Sequence, residues 1–337
     1  MRTEEVDCRR PSRPKATSGP VACIGPAFAP VPSMRVTLVH NPDAGSGDHL
    51  GSQLLARLRD AGHEPAYAST EAAALTQALR AAPDVVLAAG GDGTVGAVAR
   101  LMAATTPDIP MAILPVGTAN NLARALGVHG TVAEIIAGLE SGATRRLDIA
   151  TVRAPWGTAR FVESAGVGAF GAMLRDAERE DAGQQPAAAT PNDRGARLQR
   201  ALERARPRHR QIDADGEDLS GMYLLVLALN IAYVGPGLAL APAADAGDGQ
   251  LDLLLVGEDG RDALGSYLGA ISAGEEPTLA IPTRRVTRVR MEWSAASGHV
   301  DDHRWPERKD AESLSTAETR PEIDASGAAI RVLVPTT

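Results

Sequence analysis

Two short stretches carry residue types suited to phosphate chemistry. The first, Gly90-Gly91-Asp92-Gly93-Thr94, follows directly on the apolar run Asp84–Ala89 (DVVLAA) and precedes Val95, Val98, Leu101 and Met102 at helical spacing. Glycines without side chains let backbone N–H groups close around a phosphate, and the N-terminus of the following helix favours negative charge. Asp92 would then face the phosphates through Mg2+. A plainer use of the same residues is a strand-to-helix turn with Asp92 and Thr94 as capping residues. The second stretch, Pro115–Arg124 (PVGTANNLAR), brings together the Thr118 hydroxyl, the Asn120 and Asn121 amides and the Arg124 guanidinium, all able to contact a nucleotide or phosphate. Its plainer use is a helix start capped by Asn120 or Asn121.

Such turns act together only if the strands before them end side by side. Arg35–His40 (RVTLVH) reads as a strand ending at Asn41-Pro42, with Gly45 and Gly47 in the loop after it and Leu54, Leu55 and Leu58 on a helix over 51–60. A short strand through Tyr67, a helix over 71–81, the buried strand before Gly90, a strand over Met111–Leu114 and a helix over Val132–Leu139 continue the alternation. This predicts an α/β N-terminal domain with a parallel sheet, in which ligands bind at the strand ends. After Asp148 the runs Ile149–Arg153, Ala159–Glu163, Arg208–Ile212, Tyr223–Ala232, Leu251–Val256 and Val286–Trp293 predict a second, mainly antiparallel β-sandwich domain. Glu178–Arg194 reads as a mobile linker, Arg197–Arg206 as a basic helix and Pro306–Pro321 as a loose loop.

The 337 residues are enough for two domains, and 44% hydrophobic with 23% charged residues is a globular composition. A net charge of −8 argues against a general nucleic-acid binder. Cys8 and Cys23 are the only cysteines, which suits a reducing cytoplasm. The longest apolar stretch, Met222–Ala232, is too short to span a bilayer and reads as a buried strand. Arginines 194, 197, 200, 204, 206, 208 and 210 form a local basic cluster. It is either a solvated helix face interrupted by Glu203 or a contact for an anionic leaflet.

Asn41-Pro42 with Gly45-Ser46-Gly47, Gly90–Thr94 and Gly117–Arg124 resemble, in order and spacing, successive motifs of the diacylglycerol kinase catalytic-domain family. The resemblance continues through Ala165–Gly168, Asn230, Gly235-Pro236-Gly237, Ala241-Pro242 and Asp248–Asp252, covering about 34 to 303. It implies an NAD kinase/diacylglycerol kinase-like fold and ATP-dependent phosphorylation of a lipid alcohol between the domains, with Mg2+. A cytoplasmic protein making transient contact with the inner face of the membrane is expected; a homodimer is left open.

Carried over by that resemblance, the nucleotide positions are Gly90, Gly91, Asp92, Gly93, Thr94, Val95, Gly96 and Thr118, with Thr70 as the match after the second strand; Asn41, Gly117 and Asn120 belong to the same motifs. Asp245, Asp248 and Gln250 match a structural Mg2+ site, against the alternative of an acidic turn before a strand. Gly96 stands where many relatives have Asn, and Asn121 where many have Asp. The family's Asp-Gly-Glu element appears here as Asp301-Asp302-His303, so His303 holds the catalytic Glu position. The candidates for general base are His303 and Asp301, against a hairpin turn with no chemistry.

The expected division is a leader or misassigned start over 1–33, a nucleotide domain over 34–146, a lipid-substrate domain over 147–303, and a segment over 304–337 returning to the first domain. An NAD kinase- or phosphofructokinase-like enzyme would share the Gly-Gly-Asp-Gly turn, but the Pro115–Arg124 and Asp248-Gly249 elements favour the lipid branch. A non-catalytic nucleotide- or lipid-binding protein is the alternative that the altered Asp301–His303 element raises.

Overall fold

The computed structural model describes residues 33–41, 51–181, 191–294, 296–307 and 319–335. The expected leader, save Ser33, and the Gly45-Ser46-Gly47 turn lie outside them, as does most of the 306–321 loop.

In the first half, strands and helices alternate as β1 (Arg35–His40), α1 (Gly51–Asp60), β2 (Glu64–Ala68), α2 (Ala72–Arg80), β3 (Val85–Gly90), α3 (Asp92–Thr105) and β4 (Met111–Pro115). The four strands lie in the order β2-β1-β3-β4, all parallel. Every residue of β3 is buried because helices cover both faces of the sheet, which is why its sequence is continuously apolar rather than alternating. Leu54 and Leu58 of α1 and Val95, Val98 and Met102 of α3 fill that core at helical spacing.

Two short helices follow, α4 (Asn121–Leu126) and α5 (Val132–Ala137). The second opens on a capping box in which the Thr131 hydroxyl accepts from the Glu134 N–H while the Glu134 carboxylate accepts from the Thr131 N–H.

The chain then enters the second half through β5 (Ala143–Ala154), β6 (Gly157–Phe161) and β7 (Ser164–Gly168). β7 pairs antiparallel with Leu225–Leu229, which pairs in turn with Leu251–Val256. Along Leu225–Leu229 the side chains divide by parity. Val226 and Ala228 face the opposing sheet, packing with Val152, Phe161, Val289 and Ile323, while Leu225, Leu227 and Leu229 face a helical layer. That layer consists of α6 (Ala169–Asp181), α7 (Pro191–Arg204) and α8 (Arg261–Ser272), which contribute Phe170, Leu198, Leu202, Leu264 and Leu268. The architecture is thus an α/β domain with a mostly parallel sheet joined to an antiparallel sandwich with helices on one outer face.

The expected linker over Glu178–Arg194 is overturned at both ends. α6 continues to Asp181, and α7 begins at Pro191, where a proline fits because the first helical turn needs no N–H partner. The expected strand Arg208–Ile212 is two pieces, Arg208–Arg210 and Ile212–Ala214, in different sheets.

The last strand, Glu322–Val334, joins the halves. Val332 and Leu333 pair parallel with β4, Arg288–Arg290 pair antiparallel near its start, and β5 pairs with it from end to end across a register shift between Asp324 and Ala328.

Candidate functional site

The C-terminal ends of β1, β3 and β4 converge on a cavity of about 240 Å3. Its walls are Asn41 after β1, Gly91, Asp92, Gly93 and Thr94 after β3, and Gly117, Thr118 and Ala119 after β4. Gly235 and Asp302 close it from the second domain.

Glycine is required here because the turns after β3 and β4 come too close for a side chain between them. A Cβ on Gly117 would stand 2.3 Å from the Gly91 Cα and 3.0 Å from the Gly91 N, so the two phosphate turns approach backbone to backbone. A Cβ on Gly90 would stand 2.6 Å from the Thr94 Cβ. Gly93, by contrast, has open space in front of it. The first amides of the 14-residue α3, from Asp92 onward, have no acceptor within the helix, and Asp92, Gly93 and Thr94 stand at the cavity wall.

Asp92 has a second task. Its Oδ1 accepts the Leu122 N–H at 3.0 Å, so the carboxylate caps α4 and ties the first turn to the second. Burial raises its pKa, against the pull of the Asn120, Asn121 and Leu122 amides. Asn41 donates from Nδ2 to the Thr94 hydroxyl at 3.2 Å and its N–H to the Ala89 carbonyl, fixing the residue that ends β1 against α3 and β3.

Asn41, Gly91, Asp92, Gly93, Thr94, Gly117 and Thr118 are thus brought together as expected residues of one cavity. The others have different placements. Asn120, at φ 51°, turns its side chain inward, where Oδ1 accepts from the Gly117 N–H and Nδ2 donates to the Gly117 carbonyl, so it shapes the loop instead of facing a ligand. Val95 is buried in the α3 core, and a Cβ on Gly96 would meet Val162 Cγ2 and Arg100 at 3.1 Å, so Gly96 serves domain packing. Gly90 underlies Thr94, and Thr70 is exposed on the loop after β2; neither lines the cavity.

The Asp301–His303 element also departs from expectation. Gly298–Val300 and His303-Arg304 form a hairpin whose two-residue turn is Asp301-Asp302, with Asp301 at φ 48°. That turn points successive side chains to different places. Asp301 is buried, paired with Arg100 at 2.6 Å and accepting N–H bonds from Val162, Glu163 and Ser164, so its carboxylate clamps α3 to the second domain. Burial pushes its pKa up while Arg100 and those amides pull it down. Its oxygens are committed to these partners, which argues against Asp301 as general base. His303 lines a separate cavity with Arg160, Glu178 and Trp305. The residue that reaches the cavity at the strand ends is Asp302, the middle member of the element.

Behind the cavity lies a residue with no sequence signal. Glu163 is buried, and both its oxygens accept from Asn121 Nδ2, at 3.3 and 3.4 Å, a group that also donates to the Gly235 carbonyl at 2.9 Å. Burial first, then the Asp302, Asp92 and Asp301 charges, raise its pKa well above the ordinary carboxylate range. A buried Glu in the short connection between β6 and β7 is visible only once the fold places three aspartates around it.

The expected metal residues lie in capped acidic turns. Asp245 accepts from the Gly247 N–H and Asp248 from the Gln250 N–H, each capping its own turn, and the other Asp248 oxygen is paired with Arg285. Pairing of Asp252 with Arg285 across Leu251–Val256 and Thr283–Val286 brings that guanidinium in. A cation at Asp245, Asp248 and Gln250 would have to displace that half-exposed guanidinium from Asp248. Among the described residues no group of three ligating side chains is placed to hold a metal, and no helix is long and apolar enough to cross a membrane.

A parallel sheet with glycine turns over a cavity at its strand ends, closed by a carboxylate from a β-sandwich, is a two-domain arrangement. Comparison with known proteins agrees. Residues 35–152 match the diacylglycerol kinase catalytic domain, and residues 180–334 match the YegS C-terminal NAD kinase beta sandwich-like domain. The chain is 31% identical over 217 residues to the "Probable lipid kinase YegS-like" of Pseudomonas fluorescens, covering 64% of this chain and 68% of that protein. It is 29% identical over 234 residues to a diacylglycerol kinase of Bacillus subtilis, covering 66% and 73% respectively. The crystal structure of a Bacillus anthracis diacylglycerol kinase shares the fold at TM-score 0.59 and 22% identity, over 88% of this chain and 96% of that one. The chain belongs to the diacylglycerol kinase catalytic-domain family, whose enzymes are lipid kinases.

Proposed function

We propose that this protein transfers the γ-phosphate of ATP to a hydroxyl of diacylglycerol or a related lipid alcohol, acting from the cytoplasm on a membrane surface. The observation that carries this reading is the placement of Asp302 across the phosphate cavity from the amides of Gly91–Thr94. Those amides and the helix behind them favour the phosphate oxygens, and Thr118 supplies a hydroxyl at the rim. Mg2+ arriving with the nucleotide would neutralise phosphate charge, and Asp92 is the carboxylate bordering the cavity that suits it, with Asp302 left to accept a proton.

In the transfer, the lipid hydroxyl oxygen forms a bond to the γ-phosphorus while the bond from that phosphorus to the bridging oxygen breaks, leaving ADP. Asp302 takes the hydroxyl proton. Its acceptor role replaces that expected of His303 and adds about 10² to 10⁴-fold to what positioning and charge neutralisation supply.

The test is transfer of labelled γ-phosphate from Mg·ATP to diacylglycerol, a sphingoid base and an isoprenoid alcohol in mixed micelles, with Asp302→Asn and His303→Ala alongside. Product on one of these lipids, lost in Asp302→Asn and kept in His303→Ala, is the expected result. Loss in His303→Ala with Asp302→Asn active would return the base to His303. No product on any lipid with ATP still bound would sink the kinase reading.

A further inference from the structure

A second cavity, of about 340 Å3, shares no lining residue with the phosphate site. It opens between α6, α7 and the edge of the β-sandwich, where Ala172 and Ala201 leave room between the helices. Five arginines line it, Arg175, Arg204, Arg206, Arg208 and Arg210, against one carboxylate, Asp176. In an acidic protein this is a concentrated patch of positive charge.

The internal partners leave that charge poorly matched. Asp176 accepts from both Arg175 and Arg204, so one carboxylate serves two guanidiniums. The Arg175 Nε is buried with no hydrogen-bond partner. The Arg210 side chain is 7% exposed, and its ion-pair partner Glu292 stands 3.6 Å away. Burial lowers the Arg210 pKa; the Glu292 carboxylate opposes this, and the like charge of Arg208 adds to it. Taking a guanidinium out of water beside another one is unfavourable unless an anion joins them. Guanidinium forks match tetrahedral oxyanions by paired N–H donors, and the cavity volume falls in the range of small-molecule sites.

We propose that this cavity binds a phosphate-bearing ligand, its oxyanion held between Arg175, Arg208 and Arg210, the phosphate being that of an anionic phospholipid headgroup or of a soluble phosphate ester. The basic cluster at 194–210 is thereby divided. Arg204–Arg210 turn into a site, whereas Arg200 stays exposed on α7 and outside it. The inference is independent of the kinase reading, because binding is measured without turnover.

The experiment uses the intact protein and two probes. Sedimentation with phosphatidylcholine vesicles, with and without phosphatidylglycerol, reads the headgroup, and calorimetric titration with glycerol 3-phosphate reads the soluble ester. Arg208→Ala and Arg210→Lys are compared with Arg200→Ala, with ATP binding and thermal melting as controls for the fold. Arg208→Ala is the variant that keeps the test decisive should Arg210→Lys disturb the core. At least one probe binds the native protein, and Arg208→Ala weakens it about tenfold or more while Arg200→Ala leaves it within about twofold. Binding to phosphatidylglycerol vesicles alone assigns the headgroup, and binding of glycerol 3-phosphate assigns the soluble ester. Native protein that binds neither probe, or Arg200→Ala as damaging as Arg208→Ala, overturns the proposal.

Discussion

Substituting Gly117 by alanine tests whether the two phosphate turns must touch. A Cβ there would lie 2.3 Å from the Gly91 Cα and 2.9 Å from Asn120 Oδ1. Carbon atoms sit comfortably at about 3.5 Å or more, so the turns must part by about 1.2 Å or Gly117 must rotate out of place. Either movement breaks the hydrogen bonds by which Asn120 folds the loop. Overpacking of this kind costs about 1–3 kcal/mol, and a displacement near 1 Å in a catalytic constellation costs about 10²-fold in rate. Gly93→Ala is the matched control, because its Cβ meets nothing within 4 Å and it lies in the first turn of α3, where alanine is the better helix former by about 0.5–1 kcal/mol. Urea unfolding of both variants should therefore move in opposite directions, with Gly117→Ala also losing about 10²-fold in phosphoryl transfer. A Gly117→Ala protein as stable as the native one and within threefold of its activity, about 0.7 kcal/mol, would refute the close approach as a requirement.

Asp92→Asn keeps an oxygen to accept the Leu122 N–H, so its melting temperature should stay near the native value while transfer falls about 10²-fold or more; equal loss of folding would show the charge to be structural. Arg100→Ala leaves the buried Asp301 carboxylate without its cation and should cost about 3–5 kcal/mol in urea unfolding, a loss well above that of an exposed ion pair. Glu163 has a folded pKa above its ordinary value of 4.5, so the folded state holds a proton that the unfolded chain releases, and stability falls as pH rises through that interval. Glu163→Gln removes the slope, so its melting temperature relative to the native protein should climb from pH 5 to pH 9; parallel curves would mean that Glu163 is ionised in the fold.

Much of the first domain was legible because β3 and the turn after it carry a continuous signal: a run buried on both faces, then glycines, then helical spacing. The residues nearest that signal, Gly91 to Thr94, line the cavity at the strand ends. Legibility failed where direction depends on backbone turns. Asp301, Asp302 and His303 are consecutive, yet a hairpin with positive φ at Asp301 sends one inward to Arg100, one to the phosphate cavity and one to another surface. Asn120 looked like a ligand residue and proved to be a loop brace for the same reason. Arg285 and Glu163 became visible only through long-range pairing, since nothing within a few residues of Asp248 or Asn121 announces the partner that tertiary structure supplies.

The strand Glu322–Val334 makes the two halves depend on each other. It pairs parallel with β4 in the first half and antiparallel along β5 in the second. With that segment displaced, β4 would present an unpaired edge, open to strand exchange with a neighbour. The cavity-lining residues all precede residue 322, so such a chain would keep every one of them while lacking the strand that holds the two halves in register.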